Sequence, residues 1–295
     1  MKIFIIGGSS ILGSCILQSL KNESYIVHYS YLNNKPPFSN GHKLDITKKN
    51  DVLKIIDEIK PDLVIHTSAL TNIDLCEKNN SLAYSINVDG TKNIIQACEK
   101  ANCKIIFVST SFVFDGVKNE YTEDDKTSPA TYYGFTKWKG EEYVKASKVP
   151  YLILRTDALY GWIEKWQRDN SVTRALKFLK AGKILKEITD WYNTPTYLPD
   201  FATAIIKLIK SNKTGIYHLT GSNFINRFEW SKEVANVFGL NLNNILPISS
   251  KELEHISVKR VNINLLNNKI KNDIGISFKT TKQGAISMLE LDKNS

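Results

Sequence analysis

With 295 residues the chain can bury a large core, as one elaborated α/β domain or as a large domain plus a small one. A formal charge of +9 suits an anionic ligand such as a nucleotide, but the lysines are scattered and no basic block is interleaved with aromatics, so nucleic acid is not an expected partner. No apolar run approaches a membrane span, and the four cysteines, Cys15, Cys76, Cys98 and Cys103, show neither CxxC nor His/Cys metal spacing, which fits thiols in a reducing cytoplasm and gives no metal site.

Lys2 to Ile6 reads as a buried strand, being apolar and mostly β-branched. It begins at residue 2, and no leader is expected ahead of it. Gly7-Gly8-Ser9-Ser10 breaks the run, and Ile11, Leu12, Cys15, Ile16 and Leu20 then recur at helical spacing. A strand, a small-residue turn and a helix make a phosphate cradle, because the helix N-terminus presents unpaired N–H groups and partial positive charge. Gly7 allows the tight turn and Gly13 a close helix–sheet approach; Ser10 stands where a third glycine is usual. Gly7, Ser9, Ser10, Ile11, Leu12 and Gly13 are therefore candidate cofactor residues. A βα unit without a ligand would carry the same pattern.

Tyr25 to Ser30 is a second strand, whose end would face the adenosine ribose of a dinucleotide. No acidic residue is there to take the 2′-OH. Ser30, Asn33 and Lys35 would instead tolerate a 2′-phosphate, so NADP(H) is preferred and NAD(H) allowed. Asp45, with Ile46 beside it, either accepts from the adenine amino group or N-caps a helix from Asn50 to Ile59. Pro61 to Ala69 is a third strand with small residues at its end, where Ser68, Ala69 and Leu70 could lie against a cofactor. Residues 80–101 read as one long helix, with Leu82, Ile86, Ile94, Ile95 and Cys98 on its apolar side. Asn87 lies near that face, as a structural hydrogen bonder or as a proton relay.

Lys104 to Ser111 is a fourth strand ending in the hydroxyls of Ser109, Thr110 and Ser111. Residues 115–129 form a loop, a helix runs from Tyr132 to about Ser147, and Tyr151 to Arg155 is a fifth strand. This alternation predicts an α/β fold: a Rossmann-type doubly wound parallel sheet in residues 1–155. Residues 156–295 are expected to form mainly a smaller α/β substrate-binding region, with the chain free to cross back. Helices are predicted at 172–181, 198–210, 227–238 and near 280–291, and short strands at Ile184 to Ile188 and Gly215 to Leu219.

Tyr133 and Lys137, four apart, share one helix face. A free phenol, with a pKa of about 10, is a poor acid–base group at neutral pH, and a neighbouring ammonium is expected to lower it. Thr110 would hold a carbonyl oxygen that receives a proton from Tyr133. A YxxxK pair alone is also an ordinary amphipathic surface pair; its value is its place after a dinucleotide cradle and a hydroxyl-tipped fourth strand.

Taken together these residues resemble an extended short-chain dehydrogenase/reductase, and within that group the dTDP-4-dehydrorhamnose reductases. The match runs from the Gly7 to Gly13 turn through His66 to Asp74 with Glu77, Ser109 to Gly116, Tyr133 to Lys137 and Leu154 to Thr156. It continues through Thr194 to Tyr197 with Asp200, and Gly215 to Gly221. The resemblance implies Thr110, Tyr133 and Lys137 as catalytic residues and Ser10 to Leu12, Asp45, Ile46, Ser68 to Leu70 and Lys137 around the cofactor. It implies a nucleotide-sugar substrate near Thr110, Ser111 and Ala158, a cytoplasmic location and a role in dTDP-rhamnose synthesis, and it allows a homodimer. Four departures touch the substrate side: Ser111 for a usual Asp, Asp157-Ala158 for Ser-Trp, Trp191 for Gln, and Arg260-Val261 for Arg-Pro. Trp162 or Trp166 could replace the missing stacking surface. A dehydratase needs two carboxylates where Ser111 and Phe112 stand, and an epimerase-reductase needs a cysteine where none follows Cys103. The expected activity is NADPH-dependent reduction of the 4-keto group of a nucleotide-linked 6-deoxy sugar. The alternative is a non-catalytic NADP-binding regulatory subunit like that of methionine adenosyltransferase.

Overall fold

The computed structural model describes residues 1–253, 258 and 260–293. From the N-terminus the chain alternates β1 (Lys2–Ile6), α1 (Ile11–Leu20), β2 (Ile26–Tyr31), β3 (Gly41–Lys43), α2 (Lys49–Ile59) and β4 (Leu63–His66). Next come α3 (Ile73–Lys78), α4 (Asn80–Tyr84), a π-helical turn at Ser85–Asp89, α5 (Gly90–Ala101), β5 (Lys104–Thr110), α6 (Tyr132–Ala146) and β6 (Tyr151–Thr156). The remainder holds α7 (Ser171–Lys180), β7 (Leu185–Ile188), β8 (Tyr192–Asn193), α8 (Leu198–Ser211) and β9 (Gly215–His218). It ends with β10 (Ile225–Asn226), α9 (Arg227–Val237), β11 (Ile245–Ile248), α10 (Asn268–Ile274) and α11 (Thr281–Lys293).

Seven strands form one parallel sheet in the order β3-β2-β1-β4-β5-β6-β9. The order turns round at β1, and in open α/β sheets ligands bind at the carboxyl ends of strands beside such a switch. Both faces are covered, which is why the strands read as apolar runs and not as alternation. Ile3 and Ile5 pack with Leu12, Ile16 and Leu20 of α1 and Phe201 and Ile205 of α8. Phe4 and Ile6 point the other way, to Val52 and Ile56 of α2 and Ile94 and Cys98 of α5. The strand predicted at Gly215 to Leu219 becomes β9, the outer neighbour of β6. Residues beyond 155 thus complete the large sheet, and others build a smaller lobe around Tyr160, Trp230 and Met288.

Three local readings change. β3 has no apolar pattern, only Gly-His-Lys at the sheet edge, and forms because β2 offers it a free edge to pair with. The long helix read at 80–101 is interrupted by the π turn, and α3 precedes it, capped by Asn72, whose side chain accepts from Leu75 N at 3.0 Å. Asp45 is not the cap of α2, which starts at Lys49 with no side-chain cap. Its Oδ1 accepts from Thr47 N (2.9 Å) and the Thr47 hydroxyl (2.7 Å), a turn of its own. The cysteines are free thiols, and among the described residues no helix is long and apolar enough to cross a membrane.

The sheet and α6 are locked by a buried ion pair. Arg155 on β6 donates from Nε and Nη2 to the two oxygens of Glu141 on α6, at 2.9 and 2.7 Å. Ser109 on β5 donates to the same carboxylate at 2.6 Å, and the guanidinium lies 5.0 Å from the Phe114 ring centre. Arg155 is 1% exposed and Glu141 not at all, so neither charge has water as an alternative partner. Removing one member strands the other, at a typical cost of about 3–5 kcal/mol. Glu141→Ala should lower the unfolding free energy by about that amount in urea titration with an unchanged m-value; a loss below about 1 kcal/mol, the range of exposed pairs, would contradict the assignment.

Candidate active site

The glycine turn is shaped by contacts that leave no room for side chains. Gly7 has φ +91°, and a Cβ there would lie 2.5 Å from Ser68 Oγ; a Cβ on Gly13 would lie 2.2 Å from the Gly7 carbonyl. α1 therefore sits directly on the turn. Ser10, in place of a third glycine, N-caps α1 by accepting from Gly13 N at 3.0 Å. The N–H groups of Ile11 and Leu12, in the first turn, have no helical acceptor by position. Ser30 ties the turn to β2: its hydroxyl accepts from Gly7 N at 3.1 Å and its carbonyl from Gly8 N at 2.8 Å.

A cleft of about 1020 Å³ opens over this turn, at the carboxyl ends of the central strands. Most of the sequence-read candidates line it: Gly7, Ser9, Ser10, Ile11, Leu12, Ser30, Asp45, Ile46, Ser68, Ala69, Leu70, Thr110, Tyr133, Lys137 and Ala158. Three candidates stand outside its lining. Gly13 is under the turn, Asn33 is exposed next to the lining residue Asn34, and Ser111 is buried behind Thr110. Asn87 holds the wall: Oδ1 accepts from Leu70 N at 2.7 Å, while Nδ2 donates to Leu70 O and Thr136 Oγ1, each at 3.0 Å. These are the bonds that the structural reading requires.

α6 brings up the phenol and the amine. Thr131 caps it by accepting from Gly134 N at 3.1 Å, and a Cβ on Gly134 would lie 2.0 Å from the Phe112 carbonyl, so the helix start abuts the exit of β5. That contact lets the Thr110 hydroxyl hydrogen-bond to the Tyr133 phenol. Lys137, one turn on and 3% exposed, has Nζ 4.0 Å from the Phe107 ring centre. Burial lowers its pKa from the usual lysine range to about 7, against a smaller opposing pull from Glu141. The expected lowering of the phenol does not occur. Burial raises Tyr133 above its ordinary value, only partly offset by the Thr110 hydrogen bond, and the nearby charge of Asp157 adds to the rise. The reason is that the dry site disfavours the phenolate and also discharges Lys137, so little ammonium field acts on the phenol.

The substrate-side departures form a connected polar cluster. Asp157 is buried and accepts from Thr194 N at 3.0 Å, from Asn193 Nδ2 at 3.2 Å and from the Ser111 hydroxyl. Arg227 and Arg260 lie over Trp191, at 4.9 and 5.6 Å from its ring centre, and Arg260 pairs with Asp74. Trp162 donates to the Met288 carbonyl and leaves the cleft, whereas Trp166 lines it. Asp157 had a sequence signal, a charge at the tip of an apolar strand. Gln167 and Arg168, which also line the cleft, had none, since they lie in a loop without periodicity.

Residues 1–293 match a family described as the RmlD substrate binding domain. A dTDP-4-dehydrorhamnose reductase of Aggregatibacter actinomycetemcomitans is 35% identical over 196 residues, 64% of this chain and 65% of that protein. The crystal structure of a dTDP-4-dehydrorhamnose reductase from Bacillus anthracis in complex with NADP is similar with a TM-score of 0.88 and 27% identity, covering 98% of this chain and 99% of that one. Methionine adenosyltransferase 2 subunit beta of Xenopus tropicalis is 27% identical over 257 residues, 85% of this chain and 76% of that protein.

Asn87→Leu would leave the Leu70 N–H unpaired beside the cleft and its carbonyl with only the weak Cys76 thiol donor at 3.5 Å. It should cost about 1–3 kcal/mol in chemical denaturation; an unchanged midpoint would mean that the loop after β4 is held by other contacts.

Proposed function

The chain belongs to the RmlD substrate binding domain family, and on that premise we propose that it reduces the 4-keto group of a nucleotide-linked 6-deoxy sugar with NADPH. The observation that carries this reading is the convergence of Thr110, Tyr133 and Lys137 on one cleft with the glycine turn. The residues fit the cofactor: side chains are excluded at Gly7, free N–H groups open α1, and Ser30, Tyr31, Leu32 and Asn34 offer no carboxylate against a 2′-phosphate. NADPH supplies the hydride.

Reduction needs a proton donor that is still protonated at working pH, and the raised phenol of Tyr133 meets that need. Thr110, already bonded to the phenol, orients the oxygen that accepts the proton. The second reading, a non-catalytic subunit, is favoured by the likeness to methionine adenosyltransferase 2 subunit beta over 85% of the chain. The retained trio favours turnover.

The purified protein should oxidise NADPH with a 4-keto-6-deoxy sugar linked to dTDP, UDP or GDP. Tyr133→Phe should cut that rate by about 10²–10⁴-fold while NADPH still binds. Binding without turnover on every donor, together with co-purification with a synthetase, would favour the second reading.

Lys137 adds a pH dependence. Its ammonium is present below about 7 and lost above it. A charged donor holds an anionic cofactor better than a neutral amine, so kcat/KM should fall as pH rises through about 7, by up to about tenfold. A flat profile across that range would show that Lys137 keeps one protonation state.

A further inference from the structure

The loop between β6 and α7 reaches across the cleft to the glycine turn. Gln167 Nε2 donates to the carbonyls of Ser9 and Ser10, each at 3.1 Å, and to Ser14 Oγ at 2.8 Å. Its Oε1 accepts from Glu164 N at 2.9 Å, so both ends of the amide are used and its orientation is fixed. Trp166 Nε1 adds a longer bond to Ser9 O, at 3.4 Å. Three residues after Gln167, Asn170 caps α7 and donates to Gly161 O at 2.7 Å, which anchors the far end of the loop in the smaller lobe.

Arg168 sits between these anchors and lines the cleft with Ser9, Ser10, Ile11 and Leu12. The other arginines, Arg155, Arg174, Arg227 and Arg260, each have a hydrogen-bond or ion partner. Arg168 has none among the described residues. Its neighbour Asp169 also lines the cleft and is paired with Lys177 at 3.3 Å, not with Arg168. The carbonyls of Ser9 and Ser10 would repel a diphosphate next to them, and the Gln167 amide group offsets both.

We propose that residues 166–168 form a clasp over the first-crossover end of the cofactor seat, in which Arg168 is the countercharge to the dinucleotide's diphosphate and Gln167 is the positioning residue that holds it there. A planar guanidinium beside unpaired helix N–H groups is the donor set a diphosphate requires. The clasp also joins the seat to α7, so that filling the seat steadies the smaller lobe.

The inference rests on the cofactor reading above, and the experiment separates the two. NADPH and NADH are titrated by the fluorescence of the reduced nicotinamide against wild type, Arg168→Gln, Arg168→Lys, Gln167→Ala and the double variant Gln167→Ala/Arg168→Gln. Arg168→Gln should weaken both cofactors by about tenfold or more, by the same factor, with a faster dissociation rate. Arg168→Lys should recover part of the loss, since it keeps the charge but not the fork. Gln167→Ala should weaken both cofactors too, and the double variant should be little worse than Arg168→Gln alone. Affinities within about twofold of wild type for Arg168→Gln would overturn the clasp, because a hydrogen bond to a charged group is worth more than that. So would a loss confined to NADPH, which would put Arg168 on the 2′-phosphate, or strictly additive losses in the double variant. A wild type that binds neither cofactor removes the cofactor reading and the clasp with it.

Discussion

One buried carboxylate sets the geometry of the site. Glu141 takes both donors of Arg155 on β6 and the hydroxyl of Ser109 on β5, with no exposure to solvent. It thereby fixes the height of α6 along two strands at once. Lys137 and Tyr133 lie one and two turns upstream on the same helix, and Thr110 is the residue after Ser109. A slip of α6 by one residue would break three hydrogen bonds to a charged group and carry the phenol away from Thr110. Such a network is costly when incomplete, which is why it holds one arrangement so firmly.

Around that lock the cleft is assembled from parts with opposite needs. The glycine turn must be bare, so Gly7 and Gly13 meet backbone and small hydroxyls closely and Gly8 meets the Tyr29 and Leu17 side chains. The chemistry must be dry, so Tyr133 and Lys137 are buried, and burial moves their acidities toward each other's neutral forms: the phenol keeps its proton and the amine sheds its own near neutrality. At neutral pH the pair therefore offers a protonated phenol beside an amine that is close to its own midpoint.

The sequence was most informative where the signal was local. Apolar runs marked β1, β4, β5 and β6, a break of small residues marked the turn, and a spacing of four put Tyr133 and Lys137 on one face. It was silent where a partner distant in the chain decides. Gly41-His42-Lys43 becomes a strand only because β2 has an open edge, and Gln167 matters only because it meets Ser9, Ser10 and Ser14. Asp45 shows an intermediate case: a carboxylate before a helix signals a cap, yet Thr47, two residues on, takes it first. The acidity of Tyr133 belongs to the same class, since burial of the ring outweighs the residue four places away.

The late arrival of β9 has a bearing on how this molecule comes into being. β6 is flanked by β5 on one side and by β9 on the other, and the residues between β6 and β9 include α7 and α8. During synthesis the edge of β6 therefore stays open until Gly215–His218 has left the ribosome, with a row of unpaired backbone groups ready to recruit a neighbouring chain. The sheet is sealed on that side only when the nascent polypeptide has wrapped back on itself and laid β9 against β6.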